Sequence, residues 1–369
     1  MKRALVFVLA VLLIGSALFA DDAKVMPMMV GRLYLAPTFS MGTGEYDKDG
    51  EFTSFDDSIK VFNMGFALEY GIINWITAAV QWVPGWTIWS DISGASSAKG
   101  LLNGFGSKSD VHTNGVADLF AGLKIQVVGE KAPVKTKMFR FAMAPGAIIP
   151  LPGPDFEDEV ANVMTSDKAA LSRMDNHVLA AGIRSYFDWI INEHFFINLY
   201  NEVVFYPKKQ DLNKDGPALQ ATKLKMAGNP ALSAFAAQIM KIEGDVNYKY
   251  RLTFELEPVF TYPIIDGLSF TVGLPINYRY IPAYEYSLDG VPPAIPGVDF
   301  EATILGSLNT DPQHSLNINP NVSMFLTKTP LPLEFKFQYG IPVYGQNVMA
   351  RHNMVLQIKA YFALPGRPQ

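Results

Sequence analysis

The 369 residues contain no cysteine. That excludes disulfide staples and a lipid carried on an N-terminal cysteine. Beyond residue 20 there is no apolar run near the ~20 residues that a membrane-spanning helix needs. Basic residues are not in excess: 30 Lys and Arg stand against 35 Asp and Glu, a net charge of −5, which argues against nucleic acid as a partner. Charge of either sign is scarce, at 18% of residues where soluble domains average roughly a quarter. Nucleophile motifs are missing too, with no Gly-x-Ser-x-Gly and no His followed closely by Ser-Asn-Gly. His314-Ser315 is the one base–hydroxyl neighbour pair, and adjacent residues on a strand face opposite ways, so the reading is not an enzyme.

What the chain does have is an export signal and aromatic strands. Met1-Lys2-Arg3, the apolar run from Ala4 to Ile14 and the small residue Ala20 before Asp21 read as a secretory signal peptide over 1–20. The remainder, 21–369, reads as one domain rich in Phe (25) and Tyr (16). In the stretch GDVNYKYRLTFELEPVF, from Gly244 to Phe260, every second residue is apolar (Val246, Tyr248, Tyr250, Leu252, Phe254, Leu256, Phe260). The alternate set carries Lys249, Arg251, Glu255 and Glu257. A period of two describes a strand between two unlike environments. LEFKFQYGIPV from Leu333 and MVLQIKAYF from Met354 repeat it.

About twelve such strands are expected, near 31–45, 60–71, 75–88, 115–128, 138–150, 177–188, 194–207, 246–262, 267–281, 315–327, 332–345 and 353–364. Their connections alternate long (46–59, 89–114, 151–176, 208–245, 282–314) and short (72–74, 129–137, 189–193, 263–266, 328–331), with a short eleventh at 346–352. An even number of strands with loop lengths sorted in this way describes an all-β transmembrane barrel of the outer membrane of a diderm bacterium. The apolar face then meets lipid and the charged face meets the lumen. The expected lumen charges are Asp118, Lys124, Arg140, Arg184, Lys249, Arg251, Glu255, Glu257, Arg279, Glu334, Lys336 and Lys359. With both signs present they imply no strong ion selectivity. Trp75 and Trp189 at one end, and Trp82, Trp86 and Trp89 toward the other, suit two interfacial girdles.

The segments FALEYGIINWITAAVQW, NGVADLFAGLKIQVV and FAMAPGAIIPLP, together with MDNHVLAAGIRSYF, resemble the hydrophobic-compound channels of Gram-negative outer membranes. These include the FadL-like fatty-acid transporters and the related phenol-degradation-associated family. The resemblance covers about 60–205 and rests on Gly115-Val116-Ala117-Asp118-Leu119 with Gly122 and Lys124. It implies passive uptake of apolar molecules through a pocket near the outer face. FadL-like transporters also carry a sizeable N-terminal hatch, whereas only about ten residues, Asp21 to Val30, precede the first strand here. A plug is therefore expected to come from elsewhere or to be absent.

The loop 208–245 offers a candidate. Asn229-Pro230 forms a helix start, and Leu232, Phe235, Ala236, Ile239 and Met240 fall on one apolar stripe. Leu232, Phe235, Ile239 and Met240 are the expected contacts of a hydrophobic ligand. Two acidic stretches, Glu45–Asp56 and Asp211–Gly216, approach a calcium-loop spacing but lack flanking helices, so they read as hairpin tips, and no metal or cofactor is expected. The expected partners are outer-membrane lipid, the barrel-assembly machinery and a hydrophobic small molecule. A general porin for polar solutes and an adhesin acting through its loops are the alternatives. The chain ends in Pro-Gly-Arg-Pro-Gln rather than on a strand aromatic, so its assembly signal would be internal.

Overall fold

The computed structural model describes residues 22–91, 111–151, 169–173, 178–211, 219, 222–223, 226–306, 308 and 310–363. The expected signal peptide, His177, most of the loops 89–114 and 151–176, and the tail beyond Ala363 lie outside them. Twelve antiparallel strands close into a barrel. They are β1 (Val30–Tyr46), β2 (Phe52–Ile73), β3 (Ile76–Asp91), β4 (Leu119–Val128), β5 (Phe139–Ile149), β6 (Ala180–Ile190), β7 (Phe195–Phe205) and β8 (Tyr250–Ile265), followed by β9 (Leu268–Gly273 with Ile276–Ile281), β10 (Gln313–Ile318 with Asn321–Leu326), β11 (Leu333–Gln346) and β12 (Val348–Ala363). Each strand pairs with its sequence neighbour, and β1 closes the ring on β12 through fourteen aligned pairs from Val30↔Ala363 to Tyr46↔Val348. Closure leaves no sheet edge, the requirement for strands in hydrocarbon, where an unpaired amide costs several kcal/mol.

The barrel is inside-out relative to a soluble protein. Buried side chains on its strands include Arg32, Glu69, Lys124, Asp188, Glu202, Arg251, Glu255, Glu257 and Lys359. Exposed ones include Leu33, Leu68, Val80, Leu123, Ile183, Phe254, Phe260, Val322, Phe337 and Leu356. The period-two pattern therefore has the expected orientation. On β8, Arg251, Thr253, Glu255 and Glu257 are buried while Phe254 and Phe260 are exposed.

Prolines interrupt two strands without opening the wall. Leu274-Pro275 splits β9 and Asn319-Pro320 splits β10 at facing positions, where proline cannot donate to the ladder. The neighbouring amides bridge the gap: Asn319 N donates to Pro275 O at 2.8 Å and Tyr339 N donates to Pro320 O at 3.0 Å.

Three expected boundaries change. The connection 46–59 is a tight turn, because β1 and β2 continue outward as a hairpin to Tyr46 and Phe52. Asp47 Oδ1 accepts from Asp49 N and Glu51 N at 2.9 Å each, so its carboxylate caps the turn. Among the described residues no cluster of metal-binding side chains forms there. The β11–β12 connection is the single residue Asn347, at φ 53°. The expected strand 246–262 starts only at Tyr250, because Lys249 at φ 58° turns the chain aside. Residues Glu243–Asn247 instead pair with Glu285–Asp289 in a small three-stranded sheet outside the barrel.

Phe337→Arg, on the lipid face of β11, should cost about 2–4 kcal/mol, and Phe337→Leu far less. Urea unfolding of the refolded protein in lipid vesicles would measure the difference.

Candidate functional site

Both ends of the lumen are occupied by the chain's own segments. At the short-turn end, the stretch before β1 turns inside. Ala23 is fully buried, with its N–H donating to Asp188 Oδ1 at 2.8 Å. Gln126 Nε2 donates to Ala23 O at 2.9 Å, Lys124 Nζ to Asp22 O at 2.5 Å, and Met26 N to Thr77 Oγ1 at 2.8 Å. The strap thus ties together β3, β4 and β6. Gly71 makes room for it, since a side chain there would strike the Pro27 carbonyl. Ten residues look too few for a plug by comparison with a hatch. They form an extended strap instead, which needs only wall donors and acceptors at the right heights and leaves a cavity beside it. The signal for it in the sequence was the placement of Thr77, Lys124, Gln126 and Asp188 on inward positions.

At the other end, the loops 206–249 and 282–312 pack into an apolar core over the mouth. Leu232, Ile239, Ile242, Val246, Tyr248, Tyr284, Phe300 and Ile304 are all buried in it. The expected helix is present as a 3-10 turn, Pro230–Phe235, continued by an α-helical turn, Ala236–Ile239, and Asn229 Oδ1 caps it by accepting from Ala231 N at 3.0 Å. A second helix, Phe300–Leu305, starts on Asp299 and was not expected from the sequence. Of the four expected ligand contacts, Leu232 and Ile239 are buried among loop residues, while Phe235 and Met240 are partly exposed. Phe235 packs on Phe300 with ring centroids 5.5 Å apart.

Between these closures the lumen is crossed by ion pairs. Glu202 on β7 bridges Arg184 Nε at 2.7 Å and Arg251 at 3.4 Å. Arg184 also reaches Gln81 Oε1 at 2.5 Å and lies 3.7 Å from the Phe120 ring centroid. Lower down, Arg32 meets Glu69 at 2.6 Å, Lys359 meets Glu334 at 3.1 Å, and Tyr361 OH donates to Glu334 at 2.8 Å. Arg140 approaches Asp188 at 3.4 Å, and Lys124 stands 4.0 Å from the Tyr186 ring centroid. Glu257 accepts from Asn198 and Asn321, with Lys336 at 3.9 Å. Gly273 leaves space for that carboxylate, which an added Cβ would meet.

Eleven of the twelve expected lumen charges therefore belong to the inward-facing set, with Asp118 half-buried in the break before β4 and Arg279 opposite Thr253 and Ser315. The exception is Lys249. It lies outside the barrel strand and pairs with Glu285 of the external loop at 2.9 Å, whose carboxyl it holds below the ordinary range by hydrogen bonding. The register turns over at its positive φ, which alternation alone does not reveal. Arg32, Glu69, Asp188 and Glu202 belong to the same set and were identifiable by their alternation with Leu33, Leu68, Trp189 and Val203.

A cavity of about 710 Å³ remains at the short-turn end, lined by Arg32, Arg140, Glu257, Glu334, Lys336 and Tyr361 among others. His314 makes no catalytic pair with Ser315. It shares the outer face with Tyr278, whose hydroxyl is 2.6 Å from His314 Nδ1, while Ser315 aligns with inward-facing Arg279.

The architecture has a known counterpart. An outer-membrane channel from Pseudomonas putida F1 is similar over 94% of this chain and 100% of its own, with TM-score 0.59 at 13% identity. More distant likenesses are a monoaromatic hydrocarbon channel, CymD (TM-score 0.35, 10% identity, 92% of this chain and 89% of that one), and a FadL homologue of Pseudomonas aeruginosa (0.35, 10%, 90% of each). No protein-family model and no curated protein sequence matches the chain. At these identities the likeness establishes the fold, an outer-membrane β-barrel.

Glu202→Ala should destabilise the barrel by about 3–5 kcal/mol, because two guanidinium groups lose their shared buried counter-charge. Lys249→Ala, which removes an exposed loop pair, should leave the unfolding midpoint in place. Parallel urea titrations of the two refolded variants compare them.

Proposed function

We propose that the protein is a channel of the outer membrane for passive entry of hydrophobic compounds, fatty-acid-like or small aromatic. One observation carries the reading: an apolar core built from two external loops stands over the mouth of a lumen lined by paired charges. An apolar compound arriving from outside finds in those loops a medium that removes its surface from water, at roughly 25 cal/mol per Å² buried. Hydrated ions and sugars find no such gain there. Phe235 and Met240, the partly exposed members of the stripe, meet the compound first. Leu232 and Ile239, which now fill the loop core, line its path once the loops part.

The resemblance over 60–205 supports the same direction, and the similarity to the Pseudomonas putida outer-membrane channel supports a channel. In this reading the partners are outer-membrane lipid on the exposed apolar face, the assembly machinery that inserts the barrel, and the apolar solute. No cofactor has a role. A second reading, a pore for small polar solutes, draws on the polar cavity of about 710 Å³ at the short-turn end. It requires both the strap and the loop core to move aside without an apolar trigger.

Phe235→Asp would place a carboxylate in the loop core beside Phe300. Uptake of a radiolabelled fatty acid or small aromatic by vesicles carrying this variant should fall several-fold below wild type, with heat-resistant barrel migration retained. Uptake equal to wild type would remove Phe235 from the path.

A further inference from the structure

The lipid face of the barrel carries a polar pair at mid-depth. On β7 the buried residues Asn198, Tyr200, Glu202 and Val204 point into the lumen, so the alternate set points out. That set is Phe195, Ile197, Leu199, Asn201, Val203 and Phe205. Asn201 is its exposed polar member, six residues from Phe195 and four from Phe205. At roughly 3.3 Å per residue on a strand tilted by ~40°, it stands about 10–15 Å from either end of β7. An asparagine side chain cannot reach an interface from there.

Ser185 on β6 is its register partner and points the same way. Asn201 Nδ2 donates to Ser185 Oγ at 3.5 Å, a long bond that uses one of the two amide hydrogens. Among the described residues, the other amide hydrogen, Asn201 Oδ1 and the Ser185 hydroxyl hydrogen have no partner. Water would satisfy them on a soluble surface. The bilayer core has none, so each such group is costly there. The two histidines that share the outer face are treated differently: His314 meets the Tyr278 hydroxyl at 2.6 Å, and His352 meets that of Tyr339 at 3.0 Å.

The chemistry of the pair selects what covers it. A lipid tail offers no hydrogen bond, and the lumen groups lie behind the backbone of the wall. An amide is its own complement, with a donor and an acceptor side by side. A second copy brought up about a two-fold axis sets N–H against Oδ1 twice, using the same residue from each side. The neighbouring surface is low enough for that approach. Ala121, Ala147 and Ala181 form one register row across β4, β5 and β6, and small outward residues let two membrane surfaces come close. Phe254, in register with Asn201 on β8 and 43% exposed, flanks the pair with apolar area to cover.

We propose that the chain forms a two-fold dimer in the membrane through the outer faces of β6 and β7, with Asn201 of each copy bonded to Asn201 of the other. The contact uses only the lipid face, so it leaves the lumen, the strap and the loop core as they are. The inference is independent of which compound the channel carries.

The chain has no cysteine, so thiol cross-linking reads the contact without background. Leu199→Cys keeps the amide and places a thiol two residues from it on the same face. Phe337→Cys places one on the lipid face of β11, away from the contact. In vesicles at a low protein-to-lipid ratio, a short bis-maleimide should link the first variant into dimers and leave the second monomeric. Adding Asn201→Leu to Leu199→Cys should raise the dimer dissociation constant about tenfold, the loss of two membrane hydrogen bonds, with heat-resistant barrel migration retained. Monomer throughout, or equal linkage of both thiols, would overturn the proposal. A dimer fraction unchanged by Asn201→Leu would overturn it as well, since the amide would then not hold the contact.

Discussion

Glu202 between Arg184 and Arg251 states the constraint under which the whole interior is built. Every inward charge has left bulk water, and each unpaired one would cost several kcal/mol. The wall answers by alignment. Because facing strands bring residues to the same height, Arg184 falls beside Glu202 and Thr253 beyond it, one step from Arg251. The same rule places Arg32 beside Glu69 and Glu334 beside Lys359. A slip of one residue in any of these ladders would turn a charge into lipid and a Leu or Phe into the lumen. The polar network and the apolar belt are therefore one register seen from two sides.

The closures follow from what the wall leaves over. Thr77, Lys124, Gln126 and Asp188 present donors and acceptors to the lumen, and the strap before β1 takes them, with Asp188 also reached by Arg140. At the other end, side chains from two loops gather into a common apolar core. A polar strap below and an apolar cap above give the two ends of the barrel different chemistry. The proposed entry of an apolar solute from outside rests on that asymmetry.

Much of this was legible in the sequence, for reasons that separate local from non-local information. Alternation is local, so the inward set from Lys124 to Lys359 and the orientation of β8 could be read directly. Asn229-Pro230 is a local helix start, and the helix begins there. Strand ends were read less well, because tight turns such as Asp47–Glu51 and Asn347 carry polar residues that resemble longer loops. The departure at Lys249 depends on one backbone angle, and its partner Glu285 lies 36 residues away. The strap was missed because its partners are scattered from Thr77 to Asp188. The packing of Leu232 and Ile239 against Phe300 and Ile304 joins two loops that alternation says nothing about.

The central claim is that the barrel is closed by its own segments and yields to apolar solutes. Single-channel conductance of the refolded protein in planar bilayers, with and without a fatty acid or small aromatic on the loop side, tests it most directly. The account predicts little conductance alone and a change when the apolar compound is added. A large, steady conductance indifferent to that compound would contradict it and describe an open porin.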